Sequence, residues 1–189
     1  MSDLRPRLEA IIRASPSLMH VMTTARDLAL PDWLIFAGAI YQAVWNHQTG
    51  RHPDYGIKDY DLAYHDASDL SYEAEDAVIQ AVAARFESPF REQVEVRNQA
   101  RVHLWFEGKF KEPYEPLTRS AEAVERFTSP AFCVAARLES DDSLTVVAPF
   151  GLEDMFAMHV RPNPRRPTGG LQRTFANAKG RWPELTIEL

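Results

Sequence analysis

Apolar residues recur at helical spacing from the start of the chain. Leu4, Leu8, Ile11 and Ile12 mark one helix, which Ser15-Pro16 interrupts. Ser15 is placed to cap a second helix that Pro16 opens and that Leu18, Val21, Met22 and Ala25 continue. Pro31 ends this run. The continuous apolar stretch Trp33-Leu34-Ile35-Phe36-Ala37, followed at once by Gly38, predicts a buried strand entering a turn. Helical spacing resumes from Ala39 to His47 through Ile40, Ala43 and Val44.

The segment from Gln48 to Ile57 is polar and rich in Gly and Pro, and predicts a loop. Lys58 to Tyr64 then alternates, with Tyr60, Leu62 and Tyr64 on one face and Asp59, Asp61 and Ala63 on the other. That period of two marks a strand with a polar face. Asp69 or Ser71 begins an amphipathic helix through Ala74, Ala77, Val78, Ala81, Val82 and Phe86. Gln93 to Arg97 alternates again, with Val94 and Val96 inward and Glu95 outward. Asn98 is placed to cap a helix carrying Val102, Leu104, Trp105 and Phe106, and both Trp45 and Trp105 are expected in the core. A loop over Lys109–Pro116 and a helix over Arg119–Phe127 follow. Phe132–Leu138 and Leu144–Val147 then form a hairpin across Ser140-Asp141-Asp142, and Gly151–His159 a short helix. Beyond Arg161 the chain is rich in Pro and Gly and reads as irregular.

The order of strands and helices predicts an α+β fold, a small mixed sheet with helices packed on one face and acids in an open cleft on the other. The 189 residues suit a single domain over 1–189, with a helical extension over 1–30 and an irregular tail over 162–189. A net charge of −6 argues against a protein built to coat DNA or anionic membrane. The one cysteine, Cys133, excludes an intramolecular disulfide and a cysteine-rich zinc site, and its apolar setting suits inert packing. No apolar run approaches the roughly 18 residues a membrane span needs, and the N-terminus lacks the apolar core of a signal peptide. A cytoplasmic location is expected.

Two acids at i and i+2 on a strand point the same way, about 7 Å apart. With Glu95 from a neighbouring strand, Asp59 and Asp61 make a set of hard oxygen donors suited to Mg²⁺ or Mn²⁺. A pair of such ions clamps the attacking and leaving oxygens of an in-line displacement at phosphorus. Gly38 opens a helix whose free N–H groups and dipole suit phosphate oxygens. Arg97 shares the face of Glu95 and is within reach of either a phosphate or an acid. His47, His52 and His65 match no zinc spacing. The basic residues Arg161 to Arg166, with Arg173, Lys179 and Arg181, form either a solvated surface or a seat for a polyanion.

The segments Ala37-Gly38-Ala39, Val44-Trp45-Asn46, Gly56-Ile57-Lys58-Asp59-Tyr60-Asp61-Leu62 and Val94 to His103 resemble the bacterial nucleotidyltransferase-like family of the DNA polymerase beta superfamily. The likeness runs from about Trp33 to Asn163, including Pro149-Phe150-Gly151-Leu152 and Arg161-Pro162-Asn163. It implies the family fold and transfer of a nucleoside monophosphate from an NTP to an acceptor, which is a small molecule, a protein or RNA. It also implies Asp59, Asp61 and Glu95 as metal-binding and catalytic acids, and Gly38-Ala39 as the phosphate turn. Ala39 stands where the superfamily places a small polar residue, so only backbone contacts remain there. The interval from this turn to Asp59 is also longer than usual and holds the polar loop. The alternative is a nucleotide-binding module on the same fold that performs no turnover.

Overall fold

Ser15 and Ser71 act as the caps their positions suggest: Ser15 Oγ accepts from Leu18 N–H at 3.4 Å and Ser71 Oγ from Ala74 N–H at 3.2 Å. The computed structural model describes residues 4–166 and 171–188. In it α1 (Leu4–Arg13) and α2 (Pro16–Leu28) pack together at the start of the chain. Strand β1 (Leu34–Phe36) leads directly into α3 (Gly38–Gln48), and β2 (Tyr60–Tyr64) follows the polar loop. Next come α4 (Tyr72–Ala83), the single turn α5 (Phe90–Gln93) and β3 (Val94–Asn98).

β2 and β3 are parallel, so no tight turn can join them, and α4 makes the crossover. A 3₁₀ segment (Gln99–Leu104) leads to α6 (Phe106–Phe110) and α7 (Ala121–Val124). β4 (Ala135–Leu138) and β5 (Leu144–Val147) form the expected hairpin, with Arg137 opposite Thr145. The five strands make one mixed sheet in the order β3-β2-β1-β4-β5. The expected α+β architecture is therefore the one the chain adopts. α8 (Glu153–Phe156), β6 (His159–Val160), α9 (Leu171–Arg181) and β7 (Thr186–Ile187) complete it, with β6 and β7 parallel in a second small sheet.

Alternation divides the sheet into two packed faces. Ile35, Tyr60, Leu62, Tyr64, Val96, Ala136 and Leu138 join the main core with residues of α1, α2, α3 and α4. Leu34, Phe36, Ala63 and Ala135 point the other way, into a second cluster with Leu117, Ala123, Val124 and Cys133. Ala63 is 1% exposed. The face that carries the acids is thus not open along its whole length. Past Asp61 it is roofed by α7 and the segment before it, and His65 Nε2 fixes that segment through Leu117 O at 2.9 Å.

A buried ion pair stiffens β3. Glu75 on α4 accepts from Asn98 N–H at 2.8 Å and from the Arg101 guanidinium, while Arg101 Nε donates to Leu70 O at 2.8 Å. Both partners are nearly closed to solvent. Removing either would leave the other as an uncompensated buried charge.

Two further expectations are corrected. The segment after Asn98 is not one helix with Trp105 in the core. Asn98 Oδ1 does accept from Ala100 N–H at 3.1 Å, but the 3₁₀ turns change the phase of the chain. Leu104 is left exposed, and Trp105 and Phe106 are half-buried on a cleft wall. The tail over 162–189 is not irregular throughout, because α9 forms and Phe175, Ala178 and Trp182 are buried. Gly169 and Gly170, which suggested irregularity there, lie outside the described residues.

Candidate active site

The turn from β1 into α3 bends at Ala37, which adopts φ 29° and ψ −80°. A positive φ in a residue with a Cβ is unfavourable by about 1–3 kcal/mol and concentrates at functional sites. The Ala37 N–H is fixed across the sheet to Val134 O at 2.9 Å. No side chain caps α3. The N–H groups of Ile40 and Tyr41 turn back to Ala37 O, and the earlier N–H groups of any helix have no partner within it. A Cβ added to Gly38 would meet only Gln42 Nε2, at an ordinary 3.5 Å. Gly38 is thus not required for room inside the protein; what it leaves open is the approach from outside. Ala39 is buried and contributes backbone alone.

The three acids reach the site from two strands. Asp59 is exposed and lies just before β2, so its backbone is not held by the ladder. Asp61 is the second residue of β2 and stands in register with Glu95 of β3. Neighbouring strands are about 4.8 Å apart, so these two carboxylates share a face as cross-strand neighbours. Asp61 is itself solvent-exposed, although Asp59, Glu95 and Arg97 crowd it. Desolvation, then the charges of Asp59 and Glu95, push its pKa up to about 6 against the pull of Arg97. Arg97 follows on the same face, with Nη2 3.9 Å from Glu95 Oε2 and Nη1 donating to Val96 O at 2.6 Å. Lys58 is exposed.

Among the described residues, no three acidic, His or Cys side chains converge closely enough to hold an ion as they stand. The three carboxylates share one neighbourhood without closing on a common point. Their chemistry nonetheless fits a hard divalent cation: all donors are carboxylate oxygens, and their mutual repulsion is what added positive charge relieves.

Two features of this site were not legible as such in the sequence. The polar loop before Asp59 is pinned by Asn46, whose Nδ2 donates to Pro53 O and Tyr55 O, each at 2.8 Å. Trp182, just beyond α9, donates through Nε1–H to Asn46 Oδ1 at 2.9 Å and packs edge-on against Trp45. Beside it, Arg181 donates to Gly56 O at 2.8 Å and approaches Gln42 Oε1 at 3.5 Å. Burial raises the pKa of Tyr41, a hydrogen bond with Gln42 and the charge of Arg181 oppose this, and Asp61 and Asp59 add to it. The Arg181–Gln42 approach sets this guanidinium beside α3. Arg181 belongs to the basic end singled out in the sequence. By contrast Arg161, Arg165 and Arg166 are paired with Asp154 (2.7 Å), Glu125 (2.6 Å) and Glu112 (2.9 Å).

The second feature is a cleft of about 510 Å³ that extends from Asp61 and Glu95 over Ala63 and Arg97. Phe36, Trp105, Phe106, Tyr114 and Phe127 supply its apolar walls. The apolar spacing of Trp105 and Phe106 was visible, but it gave no sign that they face a cleft.

Comparison with known proteins agrees with this architecture. A solution structure described as revealing a CCA-adding enzyme head domain is similar over 96% of this chain and 94% of that one. The identity is 23% and the TM-score 0.75. At that identity the likeness is one of fold. No curated protein matches the chain. The family model described as nucleotidyltransferase matches residues 23–187, which takes in the α3 turn, all three acids and α9. On that match, the chain belongs to the nucleotidyltransferase family.

Proposed function

We propose that the chain transfers a nucleoside monophosphate from an NTP to an acceptor, with Mg²⁺ or Mn²⁺ held by Asp59, Asp61 and Glu95. The observation that carries this reading is the register pair Asp61–Glu95, set at the edge of a cleft beside the uncapped start of α3. The N–H groups of Gly38 and Ala39 would receive phosphate oxygens, aided by the helix dipole. Arg97, and Arg181 near Gln42, supply positive charge on either side of the acids. When bound, the divalent ions would neutralise charge on the phosphate oxygens and lower the pKa of the attacking group. An acceptor oxygen forms a bond to the α-phosphorus, the bond to the bridging oxygen breaks, and pyrophosphate leaves. Glu95 takes the acceptor's proton.

The test is calorimetric titration of each NTP with Mg²⁺ or Mn²⁺, and again with EDTA. Binding in the presence of metal should weaken strongly in Asp59→Asn and Asp61→Asn. Equal affinity with and without metal overturns the metal-bridged pose. One observation favours the alternative, a nucleotide-binding module without turnover: the three acids do not close on one point. Under that reading NTP binds, yet pyrophosphate is never released with any acceptor.

A further inference from the structure

We propose that the cleft beyond the acids is the acceptor site, and that it takes a small molecule with a flat apolar body, one anionic group and a hydroxyl. This rests on the transferase reading above. Direction along the strands supports it. Phe36 lies opposite Asp61, and Gly38 follows Phe36 out of the sheet, so the start of α3 lies at the Asp59 end of β2. The cleft runs the other way, past Ala63 and Arg97 to Gln99. Asp61 and Glu95 therefore stand between the phosphate turn and the cleft. In-line displacement needs the attacking and leaving oxygens on opposite sides of phosphorus, and a pyrophosphate at α3 leaves the cleft side to the acceptor.

The lining sets the chemistry. Trp105, Phe106, Tyr114 and Phe127 line it with aromatic side chains, which suits a flat apolar body, and the volume suits a small ligand. Three of the four arginines on the walls are already beside a carboxylate: Arg97 by Glu95, Arg165 by Glu125 and Arg166 by Glu112. Arg126 is not. It lies 4.1 Å over the Tyr114 ring and donates to Glu115 O at 3.1 Å, and among the described residues it has no carboxylate partner. A half-buried guanidinium with donors to spare beside aromatic rings suits a carboxylate or phosphate. An anion seated on Arg126 would leave the other end of the molecule, with its hydroxyl, towards Asp61 and Glu95.

The experiment uses the full chain without nucleotide. Calorimetry with 4-hydroxybenzoate and phenyl phosphate is compared with benzyl alcohol and adenosine, and the Trp105 indole N–H is followed by NMR. The anionic probes should bind and shift the Trp105 signal, and benzyl alcohol should bind at least about tenfold more weakly. Arg126→Leu should lose at least about tenfold in affinity for the anions, and Arg126→Lys should keep most of it. Mg²⁺-dependent NTP affinity should stay within about twofold in both variants. Loss of the Trp105 response for every anion, or equal binding by Arg126→Leu, overturns the assignment. If adenosine displaces the anions and Arg126→Leu weakens NTP equally, the cleft holds the nucleoside, and the acceptor assignment falls while the transferase reading stands. If the anions bind as expected but no NTP binds with metal, the transferase reading falls instead.

Discussion

Asp61→Asn should make the metal-free protein more stable at neutral pH and change it little in acid. The unfolded chain ionises Asp61 near 3.8, whereas the folded protein holds the proton until about 6. Between those values the unfolded state carries fewer protons, so stability falls as pH rises. Below the lower value the cost vanishes, and above the upper it is complete and constant. Without solvent screening the displacement would be worth about 3 kcal/mol. Asp61 is open to solvent, where water screens its neighbours, and about 1 kcal/mol is the realistic gain. For a chain of this size that raises Tm by about 2–4 °C. The assay is thermal and urea unfolding of wild type and Asp61→Asn in EDTA at pH 4 and pH 7.5. A variant no more stable than wild type at pH 7.5 refutes the reasoning. So does an equal gain at both pH values, since that would locate the effect in packing rather than charge.

Glu95→Gln should keep metal-dependent NTP affinity within about tenfold, since Asp59 and Asp61 remain, while lowering pyrophosphate release by about two orders of magnitude; parallel loss of both would give Glu95 a binding role. Glu75→Ala should cost about 3–5 kcal/mol in urea unfolding because it strands Arg101 as a buried charge, and a loss under about 1 kcal/mol would mean water reaches the pair. Gly56→Ala combines a φ of 74° with a Cβ that would lie 2.9 Å from Trp182 Cη2. It should cost about 2 kcal/mol and shift tryptophan fluorescence, and a neutral result would show that Trp182 does not hold the loop. Cys133, whose thiol burial pushes up to about 12, should resist iodoacetamide at pH 8 until the protein is unfolded, and rapid native alkylation would contradict its burial.

Local pattern alone determined much of this protein. The alternation of Tyr60, Leu62 and Tyr64, the caps at Ser15 and Ser71, and the apolar run before Gly38 each report a period of 2 or 3.6 or a terminal hydrogen bond. These depend on residues a few positions apart. The same periodicity placed Asp61 and Glu95 outward on their strands, and so made the pairing of acids legible. Tertiary structure decided what covers what. Ala63 lies in phase with the acids yet is buried, because Leu117 and Val124 from a distant segment roof that end of the sheet. Trp105 has core-like spacing but lines a cleft, because the 3₁₀ turns after Asn98 rotate the chain before α6. The chain past Arg161, irregular by composition, yields α9 because Trp182 finds Trp45 and Asn46 well over a hundred residues away. Burial and charge pairing at such separations come from closing the chain on itself. A helix or strand period holds no record of which surface its outward face will meet.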